Sequence, residues 1–268
     1  MSTEKSNPSP LSSNFASQAL ATLATPARRI HPMSYLFNPP AIISLSIRGS
    51  DTRFPVGRVF CLGRNYPWPE SYGPAPQEPV FFMKPASNVV EAQGELPFPP
   101  QTEEFCHEIE LVVAIAKGGA DIAPQEAMEH VFGFAAGLDL TRRDHQRKAK
   151  AEGLPWESAK VFEASAPMTA IAPASELPWP LPASLWLQVN GQERQRAHLS
   201  QQTWPVAEVI SRLSRQLPLR PGDLIMTGSP PGVAPLNPGD TLHAGIDGIG
   251  ELHMRVGPRP AGQAADAA

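Results

Sequence analysis

Phe105-Cys106-His107-Glu108-Ile109-Glu110-Leu111-Val112-Val113-Ala114-Ile115 is the stretch that decides the fold. Its second half is apolar and rich in β-branched residues, so it reads as a strand. Five apolar residues in a row imply a sheet covered on both faces. Side chains alternate along a strand, so Glu108 and Glu110 point the same way while His107 points away from them. A second apolar stretch, Val131-Phe132-Gly133-Phe134-Ala135-Ala136-Gly137-Leu138, ends at Asp139. Three carboxylates brought together by two ordered elements suit a hard divalent cation such as magnesium. On its own, a Glu-x-Glu pair is more often the solvated side of an edge strand. The apolar setting argues against that, because acids left unpaired there are costly.

The 268 residues suffice for one large domain or two small ones. A net charge of −4 with a pI near 6.0 speaks against a nucleic-acid surface. No apolar run approaches the length of a membrane helix. Cys61 and Cys106 are too few for a disulfide framework; both lie in apolar runs and read as buried thiols of a reducing, cytoplasmic protein. The 32 prolines punctuate short segments and favour a loop-rich, mainly β chain over a helical bundle.

Residues 1–32 are rich in Ser, Ala, Thr and Pro, carry no persistent pattern and read as a disordered tail, with Met33 as the expected biological start. Residues 33–257 form the expected catalytic domain and 258–268 a second frayed tail. Within the domain, Val59–Leu62, Val80–Met83 and Gly250–Val256 read as strands. Leu185–Val189 followed by Asn190-Gly191 reads as a hairpin. Helices are expected at 124–130, at Arg142–Gly153, and at Val206–Leu217, where Val206, Val209, Ile210, Leu213 and Leu217 keep helical spacing.

Taken in order, Cys61-Leu62-Gly63-Arg64-Asn65-Tyr66, Phe82-Met83-Lys84-Pro85, His107-Glu108-Ile109-Glu110-Leu111, Gly137-Leu138-Asp139, Lys160-Val161-Phe162, Val189-Asn190-Gly191 and Thr227-Gly228-Ser229-Pro230 give a chain that resembles the fumarylacetoacetate hydrolase family from about Met33 to Val256. Gly153-Leu154-Pro155-Trp156 ahead of Lys160 is similar to its acylpyruvase and fumarylpyruvate hydrolase branch. The resemblance implies an α+β, mainly β fold: the mixed β-sandwich roll of that family's C-terminal domain, as a homodimer. It implies Mg2+ or Mn2+ held by Glu108, Glu110 and Asp139, with Lys160 as the active-site lysine. Arg64, Asn65, Tyr66 and Thr227 are implied to meet the substrate. A lone lysine such as Lys160 is ordinarily a surface or ion-paired residue; the setting reverses that reading. Arg143 and Asp144 are candidates only for supporting the ligands.

The implied substrate is a 2-oxo acid with a second carbonyl, and the implied reaction is C–C hydrolysis in the breakdown of aromatic compounds. A 2-oxo acid chelates a metal through its carboxylate and keto oxygens, and the metal stabilises the enolate that follows. The sequence departs from the family at one place. Hydrolytic members carry a His and a Glu after the Asn-Tyr pair, and here Pro69 stands where the histidine would fall. Glu70 is the candidate stand-in base, with a solvated surface role weighed evenly against it. His145 lies in a charged stretch and reads as a surface residue. The missing histidine keeps two other readings open: an oxaloacetate-type tautomerase or decarboxylase on the same site, and a metal-binding homologue without activity.

Overall fold

The computed structural model describes residues 34–70 and 77–261. The expected tail 1–32, the end of the chain from 262 and the loop 71–76 lie outside the described residues. The chain forms two units, Met1–Pro40 and Ala41–Ala268. Residues 34–40 of the first have no strand or helix, and every element belongs to the second.

Two mixed sheets dominate. The larger has the order β4 (Val80–Pro85), β3 (Arg58–Gly63), β15 (Leu224–Met226), β8 (Ile109–Ile115), β9 (Val131–Leu138), β11 (Ala166–Met168) and β5 (Val89–Glu91), with β12 (Ala172–Pro173) also paired to β9. The smaller has the order β14 (Gln192–His198), β13 (Ser184–Val189), β16 (Thr241–Ile246), β17 (Gly250–Val256) and β6 (Gln93–Leu96). Two short pairs complete the β structure: β1 (Ser44–Ile47) with β2 (Ser50–Pro55), and β7 (Phe105–Cys106) with β10 (Thr141–Arg142). The sheets are mixed because β15 joins β3, β11 joins β5 and β17 joins β6 in parallel, while the other ladders are antiparallel. This is the mainly β, mixed-sheet architecture expected.

The sequence of β8 explains why it sits at the centre. All seven of its residues are buried. Ile109, Leu111, Val113 and Ile115 face a core shared with Leu185, Leu187 and Leu252 of the smaller sheet. Val112 and Ala114 face a second core with Val59, Cys61, Leu224 and Met226, capped by Leu45 and Phe54 of the β1–β2 pair. A strand apolar on both faces can only be satisfied by cover on both sides.

Three helices follow their local signals. α1 (Arg143–Glu152) stops at Gly153, whose φ of 66° is the left-handed cap glycine adopts without strain. α2 (Glu157–Lys160) is a single turn. α3 (Val206–Gln216) buries Val206, Val209, Ile210 and Leu213 on the stripe that its spacing announces. The β13–β14 turn has positive φ at Asn190 (51°) and Gly191 (75°), as a two-residue primed turn requires.

Two expectations need correction. Residues 124–130 form a turn and then a short 3-10 segment, Ala127–His130, rather than an α-helix. The chain after Pro258 is tethered where it is described. Arg259 pairs with Glu103, donates to the Thr102 carbonyl and covers the Phe98 ring, a cation–π contact that composition does not announce.

Candidate metal centre and substrate cavity

Strand register assembles the acidic cluster. In the β8–β9 ladder Ile109 lies opposite Leu138 and Glu110 opposite Gly137. One step further out the Asp139 amide donates to the Glu108 carbonyl at 2.8 Å. Alternation then sends the side chains of Glu108, Glu110 and Asp139 to one face. All three are buried, and each offers an oxygen within 4.8 Å of the others. Gly137, opposite Glu110, lets the core close tightly beside the cluster, since a Cβ there would meet Val112 Cγ2 at 2.7 Å. These carboxylates are no solvated strand edge: Glu110 and Asp139 are 2% and 1% exposed.

Cations surround the cluster from three directions. Lys160 Nζ, delivered by α2, donates to Glu108 Oε2 (2.8 Å), Asp139 Oδ2 (2.6 Å) and Thr141 Oγ1 (2.7 Å). Arg143, at the start of α1, donates to Glu108 Oε1 at 3.0 Å and to Gln146 Oε1 at 2.7 Å. Lys84, on β4, pairs with Asp139 Oδ1 at 3.0 Å and donates to the Leu140 carbonyl, the Ser165 hydroxyl and the Lys160 carbonyl. Burial alone would lift the Asp139 carboxyl, but Lys160 and then Lys84 hold it below the usual range. Burial likewise opposes the charge on Lys160, and Asp139 and Glu108 overcome it and raise its pKa. Lys84 lies deeper, and burial brings its ammonium pKa down despite Asp139.

Glu110 is the carboxylate these cations serve least. Its Oε2 accepts the Gly228 amide at 2.7 Å. Burial, followed by the charges of Asp139 and Glu108, pushes its pKa well above the ordinary value. A divalent cation among the three groups would relieve that conflict. An all-oxygen, all-carboxylate donor set fits a hard ion such as Mg2+ or Mn2+ rather than a thiophilic one.

The cavity above the cluster is lined by the three acids, Lys160, Arg143, Gln146 and Lys150, by Leu62, Phe82 and Trp156, and by Arg64, Trp68 and Ser229. Arg64 takes a left-handed backbone, with φ of 58°. Arg64 therefore reaches the cavity as expected, whereas Asn65, Tyr66 and Thr227 do not line it. Asn65 is a clamp: its Nδ2 donates to the Trp204 and Thr227 carbonyls and its Oδ1 accepts from the Trp204 amide. The Thr227 hydroxyl donates to the Leu111 carbonyl and accepts from Gln202 Nε2, so its proton is already committed and not offered to a ligand carboxylate. Tyr66 is buried away from the cavity, and burial lifts its phenol above the ordinary range.

These residues hold the 227–229 loop in place. The Gly228 φ of 92°, with a would-be Cβ only 2.7 Å from Asn65 Cβ, requires glycine. Ser229 on that loop takes the place at the cavity wall that was assigned to Thr227. Glu70 is exposed and does not line the cavity. His107 turns away from the acids, as alternation requires, with Nδ1 2.8 Å from Gln195 Oε1. Lys84, Gln146, Lys150, Trp156 and Ser229 are among the site residues to which no sequence motif gives a role.

With this geometry in view, comparison with known proteins is informative. Residues 58–257 match the fumarylacetoacetate (FAA) hydrolase C-terminal family. A crystal structure of fumarylpyruvate hydrolase from Pseudomonas aeruginosa, in complex with Mn2+ and pyruvate, is 48% identical, with a TM-score of 0.82 over 84% of this chain and 100% of that one. A Burkholderia cenocepacia structure, described as a candidate fumarylpyruvate hydrolase, is 45% identical with a TM-score of 0.81, over 86% and 97% of the two chains. The mitochondrial oxaloacetate tautomerase FAHD1 of Bos taurus is 38% identical over 200 residues, 74% of this chain and 90% of its own length. Its matched span, its mixed β roll and its buried three-carboxylate cluster agree, and the chain belongs to the fumarylacetoacetate hydrolase family.

Proposed function

We propose that the protein is a divalent-metal-dependent enzyme that hydrolyses a C–C bond in fumarylpyruvate or a closely related dicarboxylic acylpyruvate. The observation that carries this reading is the order of chemistry along the cavity. At one end lie the three acids with Lys160 and Arg143. Leu62, Phe82 and Trp156 form an apolar middle, with the Phe82 and Trp156 ring centroids 5.8 Å apart. Lys160 Nζ lies 5.1 Å from the Phe82 ring centroid and Lys150 Nζ 4.9 Å from that of Trp156, so the two rings stand between one ammonium and the other.

Arg143, Gln146 and Lys150 follow one another on one face of α1. At 1.5 Å per residue, Arg143 and Lys150 are separated by about 10 Å along the axis. That suits an acid with a carboxylate at each end and an apolar, unsaturated link between.

The chemistry follows from the same residues. Glu108, Glu110 and Asp139 would hold a divalent ion whose Lewis acidity would favour charge developing on a 2-oxo acid's keto oxygen. Lys160 adds a fixed positive charge beside that oxygen, held in place by Thr141. Arg143 orients Glu108 and Gln146 together. Water adds to the distal carbonyl carbon, the C–C electron pair passes to the pyruvyl fragment as its enolate, and protonation releases pyruvate and a dicarboxylic acid. The pyruvate held with Mn2+ in the P. aeruginosa relative supports this assignment.

A second reading, keto–enol tautomerisation of an oxaloacetate-like acid, draws on a specific observation. Pro69 replaces the expected histidine, and Glu70 faces solvent. Enolisation needs a metal and a proton acceptor but no water-activating base. The bovine relative carries that activity in its name. Purified protein with Mg2+ or Mn2+ is assayed on fumarylpyruvate, acetylpyruvate and oxaloacetate, following pyruvate release and enol absorbance together. Pyruvate release that is fastest from fumarylpyruvate supports the first reading. Enol decay of oxaloacetate without cleavage of any substrate replaces it with the second. Silence on all three with metal bound overturns both.

A further inference from the structure

We propose that the outer face of the smaller sheet carries a second metal site, formed by His243, Glu251 and His253, that takes a borderline transition-metal ion such as Zn2+. His243 on β16 and His253 on β17 are direct cross-strand partners, and Glu251 lies two residues before His253 on the same face. Each of the three offers a ligand atom within 4.8 Å of the others. A tetrahedral ion bound at about 2.1 Å wants donors roughly 3.4 Å apart. Small side-chain rotations at this partly exposed surface close that gap.

The three side chains already touch one another. His243 Nε2 lies 2.9 Å from Glu251 Oε2. The imidazoles of His243 and His253 stack at 3.9 Å and 21°. The Trp186 ring, from β13, stands edge-on to His243 at 4.6 Å. Two imidazoles and one carboxylate form a donor set quite unlike the three carboxylates of the first centre. It selects for zinc, nickel or copper, and its open position is left to water. Arg255 lines the same hollow as His243 and His253. An ion here would tie β16 to β17 across the sheet.

The test uses the full-length protein in saturating Mg2+, so that the acidic centre is filled, with ZnCl2 titrated calorimetrically at pH 7.5. The proposal expects one zinc equivalent bound. Affinity should fall at least 30-fold in the His243→Gln/His253→Gln double variant and several-fold in Glu251→Gln. It should also weaken as the pH drops through the imidazole range, because zinc and protons compete for the same nitrogens. Zinc binding by Glu108→Gln should match wild type. The three positions lie on the sheet's outer face, so the thermal midpoint of each variant in metal-free buffer serves as the folding control. Zinc binding that survives the double histidine variant overturns the proposal. So does zinc binding lost in Glu108→Gln, or none in wild type.

Discussion

Replacing Lys150 with Gln separates the far end of the cavity from the metal end. The substitution removes the charge and shortens the side chain by a methylene. Lys150 sits about 10 Å along α1 from Arg143 and lines the same cavity. A charge-assisted hydrogen bond to a carboxylate contributes ~1.5–3 kcal/mol. Lys150 is exposed at the cavity mouth, so solvent screening brings this to about 1–2 kcal/mol. At 1.36 kcal/mol per decade, kcat/KM for fumarylpyruvate should drop roughly 5- to 30-fold. The loss should appear mainly in KM, because the distal carboxylate does not change during the reaction. Acetylpyruvate has no such carboxylate, and its kcat/KM should stay within about twofold. Steady-state kinetics on the two substrates makes the comparison. An equal loss on both, or none on either, refutes the two-ended cavity as the basis of substrate choice.

Three further outcomes are expected. Lys84→Met removes one of the two buried lysines that pair with Asp139, leaving Lys160, and should cost about 3 kcal/mol, the low end for breaking a buried pair, lowering the melting temperature by roughly 10 °C; a midpoint within about 2 °C of wild type would show that this pair carries no stability. His107 is pushed down to about 4 by burial, against the raising effect of Gln195, so between roughly pH 6.5 and 4 the unfolded chain binds a proton that the folded chain refuses. Stability should therefore be full above that window and fall by about 3 kcal/mol as the pH drops through it, a slope that urea titrations should find missing in His107→Gln. Glu70→Gln should keep turnover within about twofold, because its carboxylate faces solvent; a hundredfold loss in the same assay would restore it as the base.

The parts of this site that strand physics governs were legible in the sequence. Period-two alternation placed Glu108 with Glu110 and turned His107 away. Two apolar runs, each flanked by an acid, foretold that Asp139 would join them. The chain's many prolines and the Asn190-Gly191 turn announced short strands rather than a bundle. What stayed hidden depends on contacts between distant segments. Asn65 binds Trp204, 139 residues away, and Thr227, 162 residues away. No local pattern reveals that these residues spend their hydrogen bonds on each other rather than on a ligand. Lys84 did leave a signal, a lysine inside the apolar strand Val80–Pro85, but its partner Asp139 lies across the sheet. The face of α1 that presents Arg143, Gln146 and Lys150 was readable as a helix. Which side met the cavity was set by where the β8–β9 ladder put the acids.

The central claim is that Glu108, Glu110 and Asp139 hold a divalent ion that receives a 2-oxo acid. Crystals grown with Mn2+ and oxalate test it most directly. The account predicts an anomalous manganese peak among those three carboxylates, with oxalate chelating the ion beside Lys160, and no such peak in Asp139→Asn. A map with no manganese there, and the acids still bound only to Lys160, Lys84 and Arg143, would contradict it.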